Sequence, residues 1–298
     1  MNQFSISDLQ QFSGVKAHTI RIWELRYKAL SPCRSEGNVR YYDDMQLRRL
    51  LNIVTLNSAG HKISKIGGLK DEQLFKLLEV ELKSQLKTDN TEEQLIFQLI
   101  AAGVAYDDVH FEKIFSTCLL RYGMKNTYLK IIYPLLVRLG LMWAKNTIPP
   151  AQEHYITNII QQKIFTAIDS LPAIKENTET WVLFLPEDEF HEIGLLFAHY
   201  TIRNLGVRSI YLGANIPFEC LKTVVEEIEG NHLLYFLVHQ NSSEKAQASL
   251  DQLTAHFKTQ QICLAGNIEL ISSLNLSKQT QWLKSVEELE KVIQQKNV

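Results

Sequence analysis

The chain has 298 residues, too many for one small domain and enough for two or three. Its 45% hydrophobic content is that of an ordinary soluble globular protein, and no apolar run approaches the length needed to cross a bilayer. The net charge of −2 conceals a split: residues 1–70 carry eleven Lys/Arg against five Asp/Glu, so a basic module that should meet a polyanion is joined to an acidic body.

The opening residues, 1–11, are polar and lack a basic segment followed by a long apolar run, so a cytoplasmic location is expected. Cys33, Cys118, Cys220 and Cys263 are far apart and form no close-spaced metal pair. They read as buried or incidental thiols.

In chain order, a first short helix is expected from the N-cap Ser5, with Asp8 three residues later and Ile6, Leu9 and Phe12 on one face. Gly14 breaks it. A second helix, about His18 to Lys28, turns Ile20 inward and offers Arg21, Trp23 and Arg26 on its other faces. Two short helices joined by a glycine turn, the second rich in Arg and aromatics, suit a helix-turn-helix reader. Glu36-Gly-Asn, between polar arms ending in Val39, Arg40, Tyr41 and Tyr42, reads as a β-hairpin wing. A helix from about Asp43 to Ser58 should pack Met45, Leu47, Leu50, Leu51, Ile53 and Val54 inward, and it ends at Gly60.

This order resembles the winged helix-turn-helix of the MerR family of transcription regulators over about residues 3–70. Thr19-Ile-Arg-Ile-Trp-Glu-Leu-Arg-Tyr, followed by Gly37-Asn-Val-Arg-Tyr-Tyr, carries the likeness. The resemblance implies a double-stranded DNA operator as partner, with Lys16, His18, Arg21, Trp23, Arg26, Arg40 and Tyr41 as contacts. One module covers one half-site, so a homodimer or homotetramer is implied. Lys16 stands where the family usually has a serine cap, whose loss costs about 1 kcal/mol.

Between about Leu69 and Glu93 the composition turns polar, and Thr88-Asp-Asn-Thr is the best linker. Four apolar-periodic segments follow, at 92–103, 107–121, 126–145 and 151–169, and read as a four-helix bundle. From residue 178 strands and helices alternate. Strands are expected at 181–185, 208–212, 233–238 and 261–264, with helices at 192–205, 218–229, 243–257 and 285–295. That alternation gives a doubly wound parallel sheet. The expected division is 1–75 for a winged helix-turn-helix, 76–175 for a helical bundle and 176–298 for a Rossmann-like α/β domain.

The strand Trp181 to Leu185 stops at Pro186, and an acidic loop delivers Glu189, His191 and Gly194 to the carboxyl end of the sheet. Open α/β sheets bind ligands at that edge, and a glycine in the first helical turn admits a large flat ligand. A lone loop histidine is more often solvated. The pattern Glu-x-His-Glu-x-Gly, however, resembles the cobalamin signature of corrinoid proteins in which a protein histidine replaces the cofactor's own base beneath cobalt. The resemblance makes His191 the cobalt ligand, places Glu189 or Glu192 in polar contact with it, and has Gly194 make room for the displaced nucleotide tail.

Trp143, followed after nine residues by Glu153-His154, matches the light-sensing, cobalamin-carrying MerR regulators, in which a helical bundle caps the upper face. By that likeness Trp143 packs on an adenosyl group and Glu153 and His154 add polar contacts. The position after Trp143, where a cobalt-capturing histidine is expected, holds Ala144. The Ser-x-Leu expected beyond the motif glycine, with forty-one residues between, is replaced at its serine by Phe236, and the later Gly-Gly appears as Ala265-Gly266. The implied protein is not an enzyme but a repressor controlled by adenosylcobalamin, and by light, through its oligomeric state. The alternatives are a regulator that has lost the cofactor, with Phe236 filling the channel, and, more remotely, a corrinoid methyl carrier.

Overall fold

The computed structural model describes residues 3–34, 39–58, 60–74, 76–78, 92–144, 149–174, 179–238 and 243–296. The chain divides into two compact units, Met1–Ile159 and Ile160–Val298.

In the first unit, helix α1 (Ile6–Ser13) begins with the expected capping box. The Ser5 hydroxyl accepts from the Asp8 backbone N–H at 3.2 Å, and the Ser5 N–H donates to the Asp8 carboxylate at 2.8 Å. Gly14, at φ +70°, ends it with a left-handed cap. Helix α2 (Ala17–Tyr27) starts at Lys16 without a side-chain cap and buries Ile20. Strands β1 (Cys33–Arg34) and β2 (Arg40–Tyr41) pair antiparallel, with Cys33 opposite Tyr41. This is the expected wing; its tip, Glu36-Gly-Asn, lies outside the described residues.

Helix α3 (Asp44–Ser58) buries Leu47, Leu50, Leu51, Ile53 and Val54 as expected. Met45 is a correction, since it is 63% exposed. Two residues before Leu47, it points about 200° away from that core residue around the helix. The short helix α4 (Ile63–Ile66) follows. The linker Thr88-Asp-Asn-Thr lies outside the described residues.

The helical region holds α5 (Glu92–Val104), α6 (Asp108–Thr127), a π-helical turn (Tyr128–Ile132), α7 (Tyr133–Ala144) and α8 (Pro150–Asp169). These match the four expected segments, except that α6 runs on past Gly123, where φ 69° and ψ 171° break it, and the π turn leads straight into α7. Every residue of α5 from Gln94 to Val104 is buried. That helix packs against α3 of the winged module on one side and α6, the π turn and α7 on others. Arg48 of α3 also reaches Asp107 at 3.7 Å.

In the second unit, β3 (Trp181–Pro186), β4 (Ser209–Ile216), β5 (His232–Leu237), β6 (Gln261–Gly266) and β7 (Thr280–Trp282) form one parallel sheet in the order β4-β3-β5-β6-β7. Helices α9 (Glu192–Asn204) and α13 (Val286–Lys296) cover one face, where Trp181, Leu183, Leu185, Leu195, Ile202 and Ile293 form a core. Helices α10 (Phe218–Glu227) and α11 (Ser243–His256) cover the other, over Val182, Phe184, Leu221, Tyr235 and Leu250. All six residues of β3 are buried because both faces are covered. A short helix, α12 (Ile268–Ser272), and β7 were absent from the sequence reading. The strand order reverses between β3 and β5, so their carboxyl ends open a crevice.

Candidate functional site

The loop leaving β3 is pinned at that crevice. The Asp188 N–H donates to the Asn215 side-chain oxygen at 3.1 Å, and the Asn215 N–H donates to the Glu189 carbonyl at 3.2 Å. Both Asp188 and Asn215 have positive φ, 65° and 55°, which Asp and Asn tolerate better than most residues. The Glu189 side chain is fully buried, and its carboxylate is richly bonded. One oxygen accepts the backbone N–H groups of Phe190 at 3.0 Å and His191 at 3.2 Å, together with the His191 Nδ1 at 2.5 Å. The other accepts the Val238 N–H at 3.0 Å, just past β5. A single buried carboxylate therefore joins the β3 loop to the end of β5. Such a group is tolerated in the interior only with bonds of this kind.

His191 stands immediately before α9, with its side chain 57% exposed. Because Nδ1 engages Glu189, Nε2 is the ring nitrogen on the side away from the carboxylate. A histidine whose Nδ1 is held by a carboxylate has a fixed ring orientation and a more basic Nε2, as metal-binding histidines commonly do. Glu192 turns elsewhere: it accepts the Tyr211 hydroxyl at 3.1 Å. Burial, aided by the Glu192 charge, raises the Tyr211 pKa well above its usual value. Phe190, 64% exposed, and Ile268, 66% exposed, add apolar surface at the same sheet edge.

Gly194 lies in the first turn of α9, and a Cβ there would stand 2.9 Å from Phe236 Cε1 and 3.2 Å from Cδ1. The Phe236 ring thus fills the space that the glycine leaves. Gly266 has a backbone reason of its own. At φ +129°, a Cβ would fall 2.1 Å from the Leu237 carbonyl oxygen, to which the Asn267 N–H donates at 2.8 Å.

Residues 4–73 match the family model of the MerR HTH family regulatory protein, and residues 95–167 match that of the B12 binding domain. The chain fits a MerR-family regulator with a cobalamin-binding region. It is 28% identical over 253 residues to the HTH-type transcriptional repressor CarH of Myxococcus xanthus, covering 84% of each chain. It is 22% identical over 247 residues to the repressor CarA of the same organism, covering 83% of this chain and 80% of that one. The monomethylamine corrinoid protein of Methanosarcina barkeri shares the fold, with a TM-score of 0.51 at 13% identity over 68% of this chain and 98% of that one.

In the MerR-type module, Lys16, His18, Arg21, Arg26 and Arg40 are exposed, and Tyr41 is half-buried. Trp23 is a correction to the expected exposed face: only 8% exposed, it belongs to the core of the module. It lies three residues after the buried Ile20, on the same helix face. Glu24, not among the residues expected to matter, accepts Arg40 Nε at 3.2 Å and the Tyr42 hydroxyl at 2.9 Å, fastening the wing to α2. The Glu-x-x-x spacing inside Trp-Glu-Leu-Arg carries no visible sign of this, because both partners come from the wing.

In the region matching the B12 binding domain, His154 is 72% exposed, with Nδ1 3.3 Å from the Glu153 carboxylate. Trp143 lies in α7, and its side chain is outside the described residues, as is that of Ala144. Among the described residues no cluster of three or more His, Cys, Asp or Glu is placed to hold a metal ion. His191 offers a single ligand, which suits a metal that arrives in its own macrocycle. His191, its ring oriented by Glu189, is the residue that would hold such a group. Beside Gly194, Phe236 takes the room a pendant group would need. Among the described residues no helix is long and apolar enough to cross a membrane.

Proposed function

We propose that the protein is a DNA-binding transcription repressor whose assembly is governed by a corrinoid of the adenosylcobalamin type bound at His191. The observation that carries the reading is the 2.5 Å bond between the buried Glu189 carboxylate and His191 Nδ1 at the strand-order reversal. The related repressors CarH and CarA support the regulatory half. In this reading residues 1–75 grip DNA, Trp143, Glu153 and His154 belong to a ligand-sensing segment at 76–175, and 176–298 supply His191 to hold the corrinoid. Arg21 and Arg26 bond phosphates and base edges in the major groove, while Arg40 and Tyr41 grip the flanking backbone. His191 would hold the cobalt through its Nε2, and Glu189, bonded to Nδ1 at 2.5 Å, would keep the ring from turning. When bound, the corrinoid supplies a cobalt–carbon bond that light can break.

Ligand control requires that one assembly bind the corrinoid better than the other, so that loading shifts the population able to grip a two-fold operator. The protein is proposed to act in the cytoplasm and to catalyse no reaction. The test incubates purified protein in the dark with adenosylcobalamin or adenosylcobinamide, removes free ligand, and records absorption, oligomer size and binding to DNA selected from a random pool. Retained corrinoid with a histidine-ligated spectrum, lost in His191→Ala, and a change in DNA binding on loading are expected. No retention of either compound removes the corrinoid from the proposal and leaves a regulator that senses something else. The Phe236 ring against Gly194 is the one observation favouring that second reading.

A further inference from the structure

We infer that Phe236 makes the His191 site selective for corrinoids that lack the nucleotide tail, that is, for the cobinamide class over complete cobalamins. The inference rests on the corrinoid reading above and names the ligand more narrowly. When a protein imidazole takes the lower axial position of a corrinoid, the cofactor's own base is displaced. Its nucleotide tail must then extend from the lower face of the ring into the protein. A tail of that bulk needs a slot beside the histidine.

The space next to His191 that has no side chain of its own is at Gly194, three residues on in the first turn of α9. It is already filled. A single added methyl at Gly194 would stand 2.9 and 3.2 Å from two carbons of the Phe236 ring, closer than ordinary packing allows. Phe236 is anchored in β5, opposite Ala265 of β6, and packs against the apolar core between the sheet and α9. Turning the ring out to admit a nucleotide would uncover that core. A cleft of about 540 Å³ near Glu187 and Asp188 is no substitute, because its floor of Phe184, Phe218 and Leu253 belongs to the opposite face of the sheet.

A tail-free corrinoid needs none of that space. Its lower position is open, Nε2 of His191 supplies the missing base, and the exposed Phe190 and Ile268 give apolar surface at the same edge. The lower ligand and the vacant tail position therefore complement each other. The side chain at 236 sets the choice.

The experiment titrates the full-length protein in the dark with adenosylcobinamide and with adenosylcobalamin, following retained corrinoid by absorption after gel filtration. The wild type should bind adenosylcobinamide at least about tenfold more tightly, a preference of about 1.4 kcal/mol. In Phe236→Ser and Phe236→Ala the preference should shrink toward unity through a gain in cobalamin affinity. Wild-type protein that binds adenosylcobalamin equally or better overturns the selectivity, and leaves the corrinoid reading standing. So does a preference unchanged in both variants, each verified as folded by its thermal transition. The wild-type comparison needs no variant, so a failure of the variants to fold does not shield the inference. If neither compound binds to wild type or variants, the corrinoid reading and this inference fall together.

Discussion

Glu189 is the residue on which the candidate site turns. Its two oxygens accept from three backbone N–H groups and one imidazole in a fully buried setting. Replacing it with alanine would strand all of these donors, so Glu189→Ala should lose about 3 kcal/mol of stability, and Glu189→Gln about 1–2 kcal/mol, because the amide keeps one acceptor. Urea unfolding followed by far-ultraviolet circular dichroism measures both. Equal losses for the two variants would mean that the bonds to the carboxylate contribute little. Sequence spacing left Glu189 and Glu192 as equal candidates for the histidine's polar partner. What separates them is the positive φ at Asp188, which curls the loop inward, and the Tyr211 hydroxyl, which draws Glu192 toward β4. Neither depends on spacing along the chain.

Among the elements, the helices of the first unit meet at tight points. A Cβ on Gly103 of α5 would lie 2.5 Å from Ile156 Cγ1 of α8, whereas Gly140 of α7 has nothing within 4 Å of the equivalent position. Gly103→Ala should therefore destabilise the protein by about 1–3 kcal/mol through overpacking. Gly140→Ala should stabilise it by up to about 1 kcal/mol through helix propensity. Two thermal melts decide this, and a Gly103→Ala melt no lower than that of the wild type would refute the close packing. Strong periodicity made the long helices and the first four strands of the sheet legible: Trp181 to Leu185 is a continuous apolar run because both sheet faces are covered. Thr280-Gln-Trp escaped because a three-residue edge strand carries no period. The π turn at Tyr128–Ile132 escaped because its side chains read as an unbroken helix. Phe236 was visible as a departure from an expected serine, but its contact with Gly194 joins residues from β5 and α9 and exists only in the fold.

For the molecule as a whole, the basic charge gathered in residues 1–70 should make DNA binding steeply salt-dependent. Arg21→Ala or Arg26→Ala should weaken binding, and each lost phosphate contact should lower the slope of log affinity against log salt by about one. Trp23→Phe should instead act mainly on stability, because Trp23 is buried. Fluorescence anisotropy on selected DNA across a salt series separates the two effects. An unchanged slope in both arginine variants would move the DNA surface off α2. The winged module is also not self-sufficient. Its helix α3 lies against α5, a helix encoded after residue 91 and buried along nearly its whole length. A fragment cut before that point would turn a face of α3 toward water. The DNA reader thus owes part of its solubility to a segment outside its own borders, and transplanting it into another protein would require carrying α5 along or repainting α3 with polar residues.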